Sequence, residues 1–323
     1  MNFKTKNVIT LFAALSVCFV ACLSIGSDDV EKVKEERPLV SSLTVNPEIP
    51  KSVLFCGDTI DLTSYDMYER FDRELTSFTY FHSTTLLLIK RANRYFPIIE
   101  PILAANGIPD DFKYLAVIES NLDPNIVSPA RAAGMWQLME ATARERGLVV
   151  HSTIDERRHI QKSTEAACRY LNEAYNRYGN WVNVAAAYNA GMGRISGELT
   201  RQNCDSAFDL WVVEETSRYV FRIMAIKQIF ENPYKYGFVI RPQNLYKPQS
   251  VREVSVSSDI QDLAEFAKEH GVSYADLKRF NLWLRDRKLV TGGKKYKIDI
   301  PNKEEFSYDT PNSVVHDSRW VVK

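Results

Sequence analysis

Apolar side chains recur every three to four residues through most of residues 66–236, which is the spacing of one face of an α-helix. Breaks that contain glycine or proline separate these series at 107–109, 123–124, 128–129 and 232–233. Because alternating strand patterns are nearly absent from this stretch, we predict an all-α domain of several short helices. The clearest series are Leu86, Leu87, Ile89, Ala92, Tyr95 and Phe96; Ala166, Tyr170, Leu171, Ala174 and Tyr175; and Val220, Ile223, Met224 and Ile226.

The pattern changes after residue 250. Residues 251–256 and 296–300 alternate between apolar and polar positions, which predicts two strands. Residues 260–269 and 274–281 lie between them and have helical spacing, with Gly271 suited to the end of the first helix. We therefore predict that a mainly α protein ends in a small α+β module of order βααβ at residues 251–301. The preceding stretch, 237–250, contains two prolines and is expected to be a linker.

The first 21 residues are typical of a secretory signal. Lys4 and Lys6 form a positive start without acids, and the following apolar run is shorter than the roughly 20 residues of a membrane-spanning helix. Ala21 before Cys22 resembles a bacterial lipoprotein cleavage box, which predicts a lipid on Cys22. A plain cleaved signal and an uncleaved membrane anchor are the alternatives. Residues 22–51 are expected to form a flexible tether and residues 302–323 an unstructured tail.

Composition narrows the function classes. The chain has 323 residues, of which 45% are hydrophobic and 25% charged, as in ordinary globular proteins. Its 41 basic and 41 acidic residues cancel, and removal of residues 1–21 leaves a net charge of −2. This balance argues against a nucleic-acid partner held by bulk phosphate attraction.

The cysteine and histidine spacings do not indicate a metal site, so we expect no metal and no cofactor. With Cys22 lipidated, three thiols remain in the exported chain. One disulfide among Cys56, Cys168 and Cys204 is possible, and its pairing stays open.

Glu119 is the candidate catalytic acid. It follows the apolar run 114–118, and Pro124 disfavours helix at Asp123, so the helix should end within a turn of Glu119. A carboxylate there faces the negative end of the helix dipole among apolar neighbours. Both effects raise its pKa, as a general acid near neutral pH requires. The alternative is a solvated glutamate at a helix end.

Two segments rich in small residues, 128–137 and 185–191, would let a polymer approach the backbone. Gln137 offers a hydrogen-bond donor and an acceptor, and Trp136 would form an aromatic wall. Tyr188 and Asn189 can form hydrogen bonds to a substrate or to the acid. Taken singly, these features are also explained by tight helix packing, a helix C-cap and a core tryptophan.

Taken in order, the motifs at 119–120, 134–137, 188–191 and 215–220 resemble the family 1 lytic transglycosylases, of the membrane-bound lytic murein transglycosylase D type. Asp155-Glu-Arg157 and Trp181 also fit that type. Residues 251–301 are similar to a lysin-motif (LysM) domain, with Ser258 in place of a usual glycine.

The resemblance implies a goose-lysozyme-like helical domain, bounded at 52–240 with its core at 66–236, that cleaves peptidoglycan glycan strands. Glu119 would be the acid/base that forms 1,6-anhydro-muramic ends without water. The protein would be exported to the periplasmic side of the envelope, with its lipid most readily placed in the outer membrane. The implied substrate-binding residues are Ser120, Ser128, Met135, Gln137, Tyr188, Asn189, Glu215 and Tyr219, with structural and catalytic roles equally open for Glu215.

Two alternatives remain open. A hydrolysing goose-type muramidase would need a positioned water and a second carboxylate, for which Asp123, Glu140 and Glu145 are nearby candidates, although capping or solvation explains all three. A non-catalytic wall-binding lipoprotein is the other. The chain departs from the family pattern at Arg131, where glycine is frequent, and at Glu140, where proline is common.

Overall fold

A computed structural model describes residues 44–302, 304, 307–309 and 314–322. The expected signal sequence, Cys22 and most of the expected tether lie outside the described residues. Residues from Pro47 onward form one compact unit, and all contacts described below lie within it. In the described part of the chain, no helix combines the length and the apolar character needed to cross a membrane.

The unit begins with a short antiparallel hairpin that the periodicity did not predict. Strands β1 (Ser52–Phe55) and β2 (Asp58–Asp61) pair around Cys56 and Gly57, which both have positive φ. Two left-handed residues make the tight turn that matches strand twist. Lys227 holds the hairpin to the helical domain, because its Nζ donates to the Leu54 carbonyl oxygen at 2.7 Å. Strands of four residues are too short to give a clear alternation.

Helices build the rest of the first domain, which confirms the prediction of a mainly α fold. In chain order they are α1 (Tyr65–Tyr80), α2 (His82–Ala105), α3 (Lys113–Ser120), α4 (Glu140–Glu145), α5 (Ile160–Tyr178), α6 (Trp181–Ala190), α7 (Met192–Gln202) and α8 (Glu214–Glu231).

Helix α8 lies at the centre of the helical domain. It packs along α1 and against α6 and α3, and its side chains Phe221, Ile223 and Phe230 are fully buried. These contacts place the start of α8 beside the ends of α3 and α6, where the candidate site lies.

The C-terminal module has the predicted strand–helix–helix–strand order: β3 (Val251–Val256), α9 (Leu263–Glu269), α10 (Tyr274–Phe280) and β4 (Tyr296–Pro301). The strands are antiparallel, with Val251 opposite Pro301 and Val256 opposite Tyr296. Helix α9 starts three residues later than expected, because Asp262 caps it through the Ala264 amide at 2.7 Å and Ile260 pairs with Leu289.

The module shares part of its core with the helical domain. Ile154, on the loop after α4, is fully buried among the module's apolar side chains. The Asp155 amide donates to the Trp283 carbonyl oxygen at 2.8 Å, and the Arg285 amide donates to that of Thr153 at 2.8 Å. Segment 153–158 therefore joins the module to the domain that carries Glu119.

Two expectations for the irregular segments were wrong. Residues 237–250 are not a free linker, because Phe238, Ile240 and Leu245 are buried in the helical core. Residues 314–322 of the expected unstructured tail pack on the same core, where Trp320 is 2% exposed and its indole N–H donates to the Phe230 carbonyl oxygen at 3.0 Å. Isolated apolar residues have no period, so sequence alone did not reveal their burial.

Candidate active site

Glu119 lies in the last turn of α3, as the sequence predicted. The helix ends at Ser120, and the following Asn121 caps it with a left-handed backbone, at φ of 53°. Asp123 then accepts a hydrogen bond from the Asn125 amide at 2.9 Å, a side-chain-to-backbone turn that redirects the chain before the next loop. The helix thus stops just after the acid, and Asn121, two residues further on, lines an open groove described below.

The surroundings of Glu119 favour its neutral form. Burial raises the pKa of this half-buried carboxyl to about 7, and the nearby Glu215 charge adds to the rise. A hydrogen bond from the Tyr219 hydroxyl to Oε1 and the positive charge of Arg222 lower the pKa but do not offset the burial. Near neutral pH, Glu119 can therefore both give and take a proton.

Two tyrosines stand close to this carboxyl. Tyr219 on α8 donates to Glu119, and Tyr188 on α6 donates to the Trp136 carbonyl oxygen at 2.7 Å. Burial and the charge of Glu119 raise the pKa of both phenols well above the usual value. Both hydroxyls therefore stay protonated and act as fixed donors.

Asn189 connects the end of α6 to the start of α8. Its Oδ1 accepts from the Thr216 hydroxyl at 2.9 Å, and its Nδ2 donates to Glu215 Oε1 at 3.3 Å. Glu215 is exposed, so its carboxylate faces the solvent side of this link. Of the acidic residues considered in the sequence analysis, Glu215 is the one whose charge raises the pKa of Glu119.

The other nearby carboxylates have ordinary explanations. Asp123 caps the turn described above, and Glu140 pairs with Arg144 at 2.6 Å on the exposed face of α4. Glu145 is exposed at the end of the same helix. These placements agree with the expectation of capping or solvation.

Loop 126–138 reaches the site through Trp136, whose carbonyl oxygen accepts from the Tyr188 hydroxyl. The Ser128 hydroxyl accepts from the Ala132 amide at 3.1 Å, which closes one turn of the loop. The Gln137 amide nitrogen donates to the carbonyl oxygens of Ile126 and Gly134 at 3.2 and 2.9 Å. These bonds fix the orientation of the Gln137 carboxamide.

Arg157 holds this loop through hydrogen bonds to its backbone. Its guanidinium forms a two-bond fork to Asp155, with both N···O distances at 2.9 Å. Its Nη1 donates to the carbonyl oxygens of Arg131 and Leu138 at 2.9 and 3.2 Å, so it holds both branches of the loop. Arg131 has φ of 67°, a left-handed conformation that glycine adopts without penalty. The motif around Arg157 was visible in the sequence, but its supporting role was not.

Three expectations about this loop and its neighbours need correction. Ser120 is 1% exposed and donates to the Ala116 carbonyl oxygen, while Met135 is fully buried, so neither side chain reaches a substrate in the cleft. Trp136 is also fully buried, and its indole N–H donates to the Thr164 hydroxyl at 2.8 Å. It is a core tryptophan and not a wall of the cleft, because its loop folds inward over α5.

An open groove of about 570 Å³ continues from Glu215, lined also by Asn121, Arg218 and Arg222. We call it the acid cleft. Arg218 and Arg222 were not singled out in the sequence, because two arginines on a helix are ordinarily read as a solvated face. Within the described residues, no cluster of three or more His, Cys, Asp or Glu side chains could hold a metal ion.

Comparisons with known proteins identify relatives of both parts of the chain. Residues 96–209 match the family model "Transglycosylase SLT domain", and residues 252–304 match "Soluble lytic transglycosylase C-terminal LysM-like domain". The chain is 30% identical over 240 residues to membrane-bound lytic murein transglycosylase D of Escherichia coli (strain K12), which covers 73% of this chain. It is 28% identical over 117 residues, 36% of this chain and 56% of the relative, to a putative tributyltin chloride resistance protein of Alteromonas sp. (strain M-1).

The chain spans about half the length (51%) of the Escherichia coli relative. Among solved structures, an inactive mutant of lytic transglycosylase Slt from Pseudomonas aeruginosa superposes with a TM-score of 0.37 at 25% identity, over 42% of this chain and 24% of that one. The 70 kDa soluble lytic transglycosylase of Escherichia coli gives 0.38 at 24% identity, over 44% and 24%. Residues 96–209 of this chain are a transglycosylase SLT domain, followed by a LysM-like domain at residues 252–304.

Proposed function

We propose that this protein is a peptidoglycan lytic transglycosylase that cleaves the β-1,4 bond between N-acetylmuramic acid and N-acetylglucosamine. The observation that carries the proposal is Glu119. Its carboxyl is half-buried, has a pKa raised to about 7, and receives a hydrogen bond from Tyr219. The match of residues 96–209 to the SLT domain model and the relative named as a murein transglycosylase support it.

The reaction uses one side chain in two steps. Protonated Glu119 gives its proton to the glycosidic oxygen, and the bond between that oxygen and the muramic C1 breaks. The resulting carboxylate takes the proton of the muramic C6 hydroxyl while the C6 oxygen bonds to C1. The products are a 4-hydroxyl on N-acetylglucosamine and a 1,6-anhydro muramic end, and no water is consumed. A pKa near 7 suits both steps, since neither protonation state is strongly favoured.

Fixed polar groups support the two steps. The Tyr219 hydroxyl stabilises the carboxylate once the proton has left. Gln137 Oε1, together with the link between Asn189 and Glu215, presents polar groups to the hydroxyl and acetamido groups of the sugars. Because these groups are tied to the backbone or to each other, little ordering is needed when the glycan binds.

The test is product analysis. The purified full chain, kept in detergent, is incubated with purified sacculi, and the released muropeptides are identified by mass. We expect 1,6-anhydro muramic ends, and at least a thousandfold loss of release in Glu119→Gln, since removal of an essential acid typically costs several orders of magnitude. Glu140→Gln is the matched control, because Glu140 lies on an exposed face and should leave the rate unchanged.

The other outcomes assign other functions. Reducing muramic ends that disappear in Glu119→Gln would indicate a hydrolysing muramidase, with Glu215 as the carboxylate to examine next. Sedimentation with sacculi without any release of muropeptides would indicate a wall-binding protein.

We also propose that the protein acts in the cell envelope as a lipoprotein attached through Cys22. The support is the apolar signal that ends in Ala21-Cys22 and the relative named as membrane-bound. We expect the wild-type chain in the membrane fraction, most of it in the outer membrane, with a mass increase at an N-terminal Cys22. Cys22→Ser should lose the modification. A mature chain with an unmodified N-terminus would refute the anchor.

The LysM-like module is proposed as a second contact with peptidoglycan. The Asp259 carboxylate accepts from the Thr291 amide and hydroxyl at 2.8 and 2.9 Å and thereby fixes the exposed loop that carries Ser258. Binding of Glu119→Gln to sacculi should weaken when Ser258 is replaced by a bulky residue such as tyrosine. Unchanged sedimentation would exclude this loop from the contact.

A further inference from the structure

An exposed tryptophan lies outside the residues described above. Trp211 is 91% exposed, on the loop between α7 and α8. Its backbone is nevertheless fixed, because the Gln202 carboxamide both accepts from the Trp211 amide at 2.7 Å and donates to its carbonyl oxygen at 3.0 Å. A large aromatic ring that is held in place by its backbone and open to solvent is suited to binding rather than to folding.

Trp211 shares a cavity with a second exposed aromatic residue. Tyr65, at the start of α1, is 80% exposed and lines the same open cavity of about 620 Å³. We call it the distal cavity; its other lining residues include Arg70, Arg73, Glu214 and Arg218. Two aromatic faces in one open cavity form a surface on which a flat, partly apolar ligand can lie.

The distal cavity adjoins the acid cleft. Glu214 and Arg218, on the first turns of α8, line both. Helix α1 also borders both: Tyr65 lies at its beginning and the 61% exposed Phe81 directly after its end, beside the acid cleft. Sixteen helical residues span about 24 Å, so the two adjoining cavities together border a surface long enough for several sugar rings.

The arginines of the distal cavity indicate that its ligand is neutral. Each arginine that lines the distal cavity is already paired with a carboxylate: Arg70 with Asp66, Arg73 with Glu214, and Arg218 with Glu74. A peptide stem would gain little binding free energy here, because its carboxylates need cations that are not already paired. Uncharged sugars gain more, because their C–H faces pack on aromatic rings and their hydroxyls bond to the paired ionic groups.

We propose that Tyr65 and Trp211 form a sugar-stacking platform that holds a part of the glycan strand lying beyond the acid cleft. The inference rests on the proposed function for the identity of the strand, and it names a specificity for long strands over short ones. A strand cut at Glu119 would stay bound through the platform, so the enzyme would cut the same strand repeatedly.

Binding is tested first, in the full Glu119→Gln chain, with β-1,4-linked N-acetylglucosamine oligomers of three and of eight sugars as probes. Trp136, Trp283 and Trp320 are buried, and Trp181 is half-buried and stacked on Tyr175, so a blue shift of tryptophan fluorescence that Trp211→Ala abolishes reports on Trp211. We expect the eight-sugar oligomer to give the shift and Trp211→Ala to weaken its binding about tenfold, the effect of losing one aromatic anchor. Binding of the three-sugar oligomer should not change.

Tyr234→Ala is the control, because Tyr234 is 67% exposed but lines neither cavity. Thermal unfolding of Trp211→Ala should match that of the parent chain, since the ring is exposed. Equal binding of the long oligomer by Trp211→Ala and its parent would overturn the platform. So would a dependence on Trp211 that appears only with peptide-bearing strands, or a dimer in sedimentation that Trp211→Ala abolishes.

Turnover is tested second, with intact Glu119. KM for long glycan strands should rise about tenfold in Trp211→Ala with little change in kcat, and kinetics on short fragments should stay constant. If Trp211→Ala weakens oligomer binding but no chain forms anhydro products, the platform stands and the proposed reaction is refuted. If anhydro products form and KM for long strands is the same in Trp211→Ala and in the wild-type chain, the proposed reaction stands and the platform is refuted.

Discussion

Gly134 lies so close to the backbone of Arg157 that a β-carbon on residue 134 would be 1.8 Å from the Arg157 carbonyl oxygen. Its φ of 82° is also one that side-chain-bearing residues rarely adopt. Only glycine lets loop 126–138 rest on the segment that connects to the LysM-like module. The position of Gln137, which donates to the Gly134 carbonyl oxygen, therefore depends on a missing side chain three residues earlier.

Gly134→Ala should displace the loop and lower both stability and activity. We expect the free energy of unfolding to fall by about 2–4 kcal/mol, from overpacking together with the strained backbone. Activity on sacculi should fall at least tenfold, because the loop can no longer sit at its place. Urea unfolding and release of muropeptides measure the two effects.

Gly197→Ala is the matched control. Gly197 lies inside α7, and an added β-carbon there would meet no atom within 4 Å. This change should stabilise the chain by roughly 0.5–1 kcal/mol through helix propensity and leave activity unchanged. A Gly134→Ala chain as stable and as active as wild type would show that the loop tolerates a large shift.

Arg157→Lys should weaken the support of the same loop. Lysine keeps the charge but cannot make the fork to Asp155 and also hold the carbonyl oxygens of Arg131 and Leu138. We expect a loss of about 2–4 kcal/mol in the free energy of unfolding, since the pair is buried, and a rise in KM for glycan strands. Denaturant unfolding and steady-state kinetics are the measurements.

The chain contains a control with the same spacing. Arg319 forms a fork to Asp317 two residues earlier, but its side chain is 55% exposed. Arg319→Lys should cost less than ~1 kcal/mol, as exposed ion pairs do, and should not alter KM. Equal effects of the two substitutions would contradict the supporting role of Arg157.

The rate of cleavage should fall as Glu119 loses its proton. We expect kcat/KM to decline above an apparent pKa of about 7, tenfold for each further pH unit. In Tyr219→Phe, the hydrogen bond that lowers the pKa of Glu119 is absent, so this decline should move to higher pH. The maximal rate should also fall, because the carboxylate formed in the first step loses its donor. Kinetics over a pH series measure both effects.

Tyr178→Phe serves as the comparison for that experiment. Tyr178 donates to the Met192 carbonyl oxygen at 2.6 Å and takes no part in the shift at Glu119. Its pH profile should coincide with that of wild type. A Tyr219→Phe profile that moves to lower pH would contradict the assigned hydrogen bond.

Glu119 should also make stability depend on pH. Its pKa is about 7 in the folded chain and near 4.5 when unfolded, so the folded state holds the proton longer and stability falls as pH rises through this window. Glu119→Gln does not titrate. At pH 8 it should therefore be more stable than wild type by up to ~3 kcal/mol, and at pH 4 this pH-dependent gain should be absent. Urea unfolding at the two pH values measures the difference.

Glu140→Gln, at an exposed site, is the comparison measured at the same two pH values. If the advantage of Glu119→Gln at pH 8 persists undiminished at pH 4, its cause is packing and not the titration of Glu119. A loss of stability for an acid kept neutral by burial is what the proposed catalytic role of Glu119 implies.

The sequence by itself determined the features that depend on near neighbours along the chain. The apolar run 114–118 and Pro124 were enough to predict that Glu119 ends a helix, and alternation with helical spacing predicted the βααβ module at 251–301. Local patterns report which face of an element is buried and where that element stops, because both depend on residues a few positions apart.

Only the tertiary structure decided what covers each face. Tyr219 reaches Glu119 across 100 positions, Trp320 packs on Phe230, and Trp136 points into the core. Trp211 remains outside although its type favours burial. Packing brings together residues distant along the chain, and the pKa of Glu119 follows from that enclosure, since its largest cause is burial by neighbours that no local pattern identifies.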